Sequence, residues 1–307
     1  MAKGLVLNFH QEDGLLFEQI VHIIRKQYKI ISLAGLVEVF NTTKKIDNLC
    51  HFTFDDGHKS FYDNIFPVLK KHNVPVSLFV SPAVIQSGNN YWFQEIEGYR
   101  QEIMELVICK KLNIPAQKIK GLSYVEILLC LPVQDISDII RMYQEETQCR
   151  KKNPLNMNAE ELLETHHSGL VAIGAHTLNH PILANENDES SYREINGSIS
   201  QLEDMINHPV HSFAYPNGRP GLDFGEREMN YLKDTGVLVG FSTAIGHLSP
   251  FNNMLSIPRM GFARMGLSPG NPLVSLRLLM GKRWFDIRSF ITPSEKNKRN
   301  RIKKLLA

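Results

Sequence analysis

The stretch Leu49-Cys50-His51-Phe52-Thr53-Phe54-Asp55-Asp56-Gly57 decides the architecture. Its first six residues make a short, mostly apolar run and read as a strand. The run ends abruptly in two carboxylates and a glycine, which supplies the backbone freedom for a tight turn. The following segment, His58–His72, carries Phe61, Ile65, Val68 and Leu69 at helical spacing. Pro75–Val80 then reads as the next strand. Strand, polar turn, helix and strand together form one β/α unit.

Outward from this stretch the unit recurs. Leu5–Phe9 reads as a strand, Leu15–Gln27 as a helix, and Ser32–Phe40 as a helix with Ser32 as N-cap. Further on, Asn158–His167 is a helix opened by the capping-box pair Asn158 and Glu161. Leu170–Gly174, His211–Tyr215 and Val237–Phe241 read as strands, Glu189–Ile206 and Leu222–Asp234 as helices. Repeated β-then-α units predict the α/β class with a parallel sheet or barrel. Asn90–Cys149 breaks the rhythm: it is long, largely helical and rich in Glu, Lys, Leu and Ile. It is expected to be an insertion between barrel elements, capping one face.

With 307 residues, 43% hydrophobic and 21% charged, the chain has the balance of an ordinary globular protein with a sizeable core. The formal net charge of +2 gives no reason to expect a nucleic-acid partner. The basic residues gather at one end, where Gly270–Ala307 holds ten Lys/Arg against Asp286 and Glu295. Such a tail either sits near an anionic surface or is simply solvated. Cys50, Cys109, Cys130 and Cys149 form no CxxC and are expected to be free thiols in a reducing compartment. The first residues lack the apolar core and cleavage site of a signal peptide, and no run of 18 apolar residues occurs. A cytoplasmic location is expected, with peripheral contact at the inner membrane face through the basic tail.

The chemistry-bearing residues follow strands, where parallel α/β barrels place their sites. Asp55 and Asp56 follow one strand, His176 another, and Tyr215-Pro216-Asn217-Gly218 a third. His176 and His180, in HTLNH, are four apart, and on a helical turn both rings would share one face and could share an ion. Pro181 argues against a regular helix, and surface or capping histidines are the plain alternative. Two imidazoles and a carboxylate leave a coordination position open, as catalytic zinc sites do. In the Asp-Asp pair one carboxylate can bind the ion while the other stays free as a base; alone, the pair would read as a polar turn.

TFDDG at 53–57, HTLNH at 176–180 and FAYPNG at 213–218, in that order, resemble the polysaccharide deacetylases of the NodB-homology type, carbohydrate esterase family 4. The resemblance covers roughly residues 1–260 and implies a distorted (β/α)7-type barrel forming one domain over 1–307. The insertion would span about 90–157 and the basic tail about 270–307. It implies Asp55 as catalytic base and Asp56, His176 and His180 as ligands of a divalent ion, zinc first, with cobalt or nickel also suited. A backbone N–H near Asn217 would help hold the oxyanion. Ala214 stands where many members carry an arginine that tethers the base; Arg259, in SIPRM, is the candidate replacement, against a structural arginine. No histidine follows Arg259, where most members have their general acid. Leu7-Asn8-Phe9-His10 resembles the opening of the exopolysaccharide, poly-N-acetylglucosamine-type members, whose last motif is permuted to the front. His10 is therefore the expected acid, and His247 a rival.

The partner implied is an N-acetylated glycan. Two other readings stand beside it: hydrolysis of a cyclic amide or other C–N bond on the same fold, and a non-catalytic glycan- or membrane-associated protein. His51 is expected within its strand, His58 at a helix start near the acidic turn, and His166 and His167 at a helix end. Trp92 is expected either to stack on a sugar or to sit in the core of the insertion.

Overall fold

The computed structural model describes residues 3–42, 46–262 and 295–306. In chain order, the first elements are β1 (Leu5–Phe9), α1 (Gly14–Arg25), β2 (Lys29–Ile30), α2 (Leu33–Thr42) and β3 (Leu49–Phe54). After a π-helical turn at Phe61–Ile65 come α3 (Phe66–His72), β4 (Val76–Val80) and α4 (Pro82–Ser87). Next are α5 (Trp92–Glu95), α6 (Gln101–Leu112), α7 (Tyr124–Leu128), α8 (Val133–Thr147) and α9 (Ala159–His167). The chain continues through β5 (Val171–Ala175), α10 (Asp188–Ile206), β6 (Ser212–Ala214), α11 (Glu226–Lys233), β7 (Val239–Phe241) and β8 (Met260–Gly261). A last helix, α12, runs from Glu295 to Leu306.

The strands run in the order β7-β6-β5-β4-β3-β1-β8, with β2 paired to β3 at the side, and every pairing is parallel. A parallel bridge between Phe241 and Ile257, just before β8, joins the two ends of the path. This is the expected distorted seven-stranded barrel. The segment from Ile257 to Gly261, absent from the sequence-based strand assignment, completes it. Two paired residues are too few to show a period, so β2 and β8 were not legible.

Strand alternation explains the two cores. Leu5, Leu7 and Phe9 of β1 join Phe52 and Phe54 of β3 in the layer packed against α1, α3 and α10. The intervening residues Val6, Phe79, Ala214 and Phe241 face the interior, where Leu33 and Leu36 of α2 close one end. The interior is tightly filled: a Cβ on Gly174 would lie 2.4 Å from the Phe79 ring and 2.6 Å from Ser212 Oγ. Nearer the C-terminal ends, the interior positions become polar, at Asn8, Thr53, Asp55 and His176, all buried.

Local chemistry sets the helix starts. His58 stands at one, as expected: Ser60 N–H donates to His58 Nδ1 at 3.1 Å and Phe61 N–H to His58 O at 2.8 Å, and helical residues follow from Lys59. By contrast the segment from Leu222 becomes helical only at Glu226, where the Glu228 carboxylate accepts Gly225 N–H at 2.8 Å. The capping box of α9 forms as read, with Asn158 and Glu161 bonded reciprocally at 2.9 and 3.1 Å.

The helices α5 to α8 build a core of their own, including Ile96, Met104, Ile108, Ile127, Ile136 and Ile139. Residues 270–294 of the basic tail lie outside the described residues. Its last part, α12, is docked rather than frayed: Ile302 is buried, and Arg299 Nη1 reaches Asp223 Oδ1 at 2.5 Å. The four cysteines are free thiols. Among the described residues no helix is long and apolar enough to cross a membrane.

Candidate active site

The site lies at the C-terminal ends of β1, β3 and β5. Asp55 N–H donates to Phe9 O at 3.0 Å, extending the β1–β3 ladder so that Asp55 stands beside His10. At the next residue the chain turns sharply: Asp56 has φ +72° and Gly57 φ +60°. A side chain on Gly57 would meet Val80 Cγ1 at 2.7 Å, so the turn needs glycine for space as well as for conformation. The two adjacent carboxylates therefore reach different partners within one pocket.

Asp55 is bound on both oxygens. Arg259 donates from Nη1 to Oδ1 and from Nη2 to Oδ2, each at 2.8 Å, and Asn8 Nδ2 donates to Oδ2 at 3.0 Å. Arg259, only 1% exposed, also reaches Ser242 O at 3.1 Å, Asn8 Oδ1 at 3.0 Å and Thr53 Oγ1 at 3.3 Å. Burial by itself would raise the Asp55 carboxyl; the Arg259 guanidinium, with His176 and His10, outweighs it and holds Asp55 well below the usual carboxylate range. Arg259 is therefore a buried arginine paired with Asp55, not a surface one.

Asp56 has no such support. Its Oδ1 is buried without a hydrogen-bond partner and lies 3.6 Å from both His176 Nε2 and His180 Nε2. Burial pushes the Asp56 carboxyl up, and burial together with His176 pushes His180 well below the usual imidazole value. His176 Nδ1 donates to Ala214 O at 2.6 Å, which leaves the Nε2 lone pair aimed at Asp56. One carboxylate oxygen and two imidazole nitrogens thus converge, within 4.8 Å of one another, with no hydrogen bond to Asp56 Oδ1. That arrangement fits a divalent cation, which would replace the missing donor.

HTLNH is not a helical turn. It is a loop in which Thr177 and His180 have φ +66° and +57°. The Thr177 hydroxyl accepts His180 N–H at 3.0 Å, and Glu194 on α10 accepts from Asn179 N and Nδ2 at 2.9 and 2.8 Å. Pro181 was the signal for a loop. Left-handed backbone at a β-branched residue is strained, and such strain clusters at functional sites.

His10 Nε2 lies 3.9 Å from Asp55 Oδ2, with its side chain 54% exposed, so it borders the site on the solvent side. Asn217 is exposed in the turn after β6, with φ +55°, and its carbonyl accepts from Thr243 Oγ1 at 2.6 Å. His247 precedes Leu248, whose N–H donates to Gly4 O at the start of β1, so it lies toward the opposite end of the barrel. His51 is interior, bonded to Ile31 O and Ser77 Oγ at 2.9 Å each, and His58 bonds Ser60.

Trp92 is not a surface for sugar stacking. Its indole N–H donates to His180 O at 3.0 Å and its ring is buried. Tyr91 and Phe93 pack on the His180 ring, at centroid distances of 5.4 and 4.9 Å. Three consecutive aromatics of the helical segment thus brace one loop histidine 88 positions later, which no local pattern announces. Asn8 and Thr53 were also missed as site residues. Their polar side chains, alternating with Leu7, Phe9, Phe52 and Phe54, were the available signal.

The sequence matches the family described as Polysaccharide deacetylase over residues 42–112 and 133–239. No curated protein matches the chain. Solved structures with the same fold include the Streptococcus pyogenes deacetylase PplD in complex with acetate, at 16% identity and TM-score 0.57 over 91% of this chain and 98% of that one. IcaB from Ammonifex degensii gives 16% and 0.57 over 87% and 94%, and the BpsB deacetylase domain from Bordetella bronchiseptica 16% and 0.55 over 84% and 95%.

Proposed function

The chain belongs to the polysaccharide deacetylase family, and from that premise we propose that it removes the N-acetyl group from an N-acetylated sugar in a polysaccharide, oligosaccharide or lipid-linked glycan. The observation that carries the reading is the contrast between neighbouring carboxylates. Asp55 accepts three hydrogen bonds from Arg259 and Asn8, while Asp56 Oδ1 has no partner and faces two imidazole nitrogens.

In this reading Asp56, His176 and His180 hold a divalent ion, zinc first, with cobalt or nickel allowed by the same donor set. The ion supplies acidification of water and polarisation of the acetamide carbonyl. Asp55 is the base. A carboxylate offers about four lone-pair sites; Arg259 and Asn8 take three of them, two on Oδ2 and one on Oδ1. The remaining one, on Oδ1, accepts the proton of the attacking water. Arg259 and Asn8 are positioning residues that keep Asp55 ionised and oriented. As the water oxygen bonds to the carbonyl carbon, the backbone N–H near Asn217 steadies the oxyanion. The C–N bond then breaks, and His10 gives its proton to the leaving nitrogen. The products are acetate and a free amino sugar.

The 54% exposure of His10 supports an open mouth that admits a chain of sugars rather than a closed pocket for a small cyclic amide. The experiment is acetate release from N-acetylglucosamine oligomers and from lipid-linked N-acetyl sugars, with and without chelator. Chelator-sensitive release supports the reading; unchanged activity in Asp56→Ala or His176→Ala removes the ligand assignment. Peripheral contact with an anionic membrane is part of the same proposal, supported by Lys296, Arg301 and Lys304, which face solvent on α12.

A further inference from the structure

Away from the strand ends, a second group of metal-ligating side chains gathers on the outer helical layer. Glu18 and His22 stand one turn apart on α1, and His72 ends α3. One ligand atom from each of the three lies within 4.8 Å of the others. We propose that Glu18, His22 and His72 form a second divalent transition-metal site, separate from the reaction centre, that ties α1 to α3.

The carboxylate is ready for the role. Lys71 Nζ at 2.8 Å and His72 Nε2 at 2.5 Å both bond Glu18 Oε1. The His22 and His72 rings meet edge to face with centroids 5.1 Å apart. Both histidines lie in the last turns of their helices, where the helix dipole favours a cation. An i,i+4 Glu/His pair on one helix and a His from its neighbour present two nitrogens and an oxygen from one side. That set, with positions left for water, suits zinc or copper.

The competing charges are identifiable. Lys71, 65% exposed, occupies Glu18 now, and a surface pair of this kind contributes little and is readily displaced. Arg25 donates to the His72 carbonyl at 2.6 Å. Binding expels Lys71 from the carboxylate and takes the place of the contact between His72 Nε2 and Glu18 Oε1. The two helices concerned are those that follow His10 and the Asp55–Gly57 turn. The start of α1 packs directly on the π-helical turn, where a Cβ on Gly14 would lie 2.7 Å from Asn64 O. An ion at the far ends of α1 and α3 thus braces the pair that supports the site.

The test is metal binding in the full chain carrying Asp56→Ala and His176→Ala, which lacks the reaction-centre ligands. Zinc is titrated by calorimetry, and copper is followed by electron paramagnetic resonance. The expected result is one equivalent bound, with coupling to two nitrogens, and a rise in Tm with zinc. Adding His22→Ala or His72→Ala is expected to weaken binding by at least about tenfold, the scale on which perturbed metal sites lose affinity. His22 is exposed, so its loss leaves the fold intact, and circular dichroism checks this. No binding in the Asp56→Ala/His176→Ala chain, or binding unaffected by His22→Ala and His72→Ala, overturns the proposal. A His22→Ala/His72→Ala chain that binds no ion counts against the reaction-centre ligands instead.

Discussion

Replacing Arg259 by methionine tests how the interior polar cluster is held. The substitution keeps most of the buried volume and removes the guanidinium. Asp55, 3% exposed, loses two charge-assisted bonds of 2.8 Å and keeps only the 3.0 Å bond from Asn8. Ser242 O loses its Arg259 donor as well. Stranding one member of a buried ion pair costs about 3–5 kcal/mol. Changing Asp55 to Asn in the same chain removes the stranded charge and leaves a deficit of ordinary unsatisfied polar groups, about 1–3 kcal/mol. Urea unfolding of wild type, Arg259→Met, Asp55→Asn and the double variant closes the cycle. The expected outcome is that Asp55→Asn is destabilising alone yet restores about 2 kcal/mol to Arg259→Met. A loss below about 1 kcal/mol for Arg259→Met, or no rescue by Asp55→Asn, would refute the idea that Arg259 is the counter-charge of the base.

His10→Ala is expected to lower turnover by about 10²–10⁴-fold, the range for a general acid, while bound metal stays at the wild-type level; a near-wild-type rate removes His10 from the reaction. His51 is fully buried and its imidazole is pushed by burial from 6.5 down to about 4. Below 6.5 the unfolded chain takes up a proton that the folded chain refuses until about 4, so stability is complete above 6.5 and falls through that window. The loss approaches about 3 kcal/mol at the acid end, and His51→Gln should flatten that part of a urea-unfolding series between pH 7.5 and pH of about 4.5; an unchanged slope contradicts it. Lys296→Glu, Arg301→Glu and Lys304→Glu together should abolish sedimentation with phosphatidylserine vesicles at low salt without changing helix content; retained binding sets the membrane contact aside.

What was legible in the sequence follows the strength of local signals. Strands β1, β3 and β4 were readable because apolar runs end at turn residues, and the capping box marked α9. The acidic turn and the two histidines were readable as motifs, although the loop geometry of HTLNH was not, because its left-handed residues are Thr177 and His180 rather than glycines. Barrel closure at Ile257–Gly261 rests on tertiary pairing, with too few residues to show a period. Arg259 could be named only as a candidate, since its partner Asp55 lies 204 positions away and burial decides the pairing. The bracing of His180 by Tyr91, Trp92 and Phe93 was invisible for the same reason.

The central claim, a base kept apart from an ion-binding triad, meets its most direct test in one paired measurement: zinc stoichiometry and acetate release on the same preparations of wild type, Asp55→Asn and His176→Ala. Because the second site proposed above also binds zinc, the measurement is made in chains carrying His22→Ala and His72→Ala. The account predicts one ion and chelator-sensitive acetate release for the parent, one ion with release lost in Asp55→Asn, and neither in His176→Ala. Full release in Asp55→Asn, or zinc retained in His176→Ala, would contradict it.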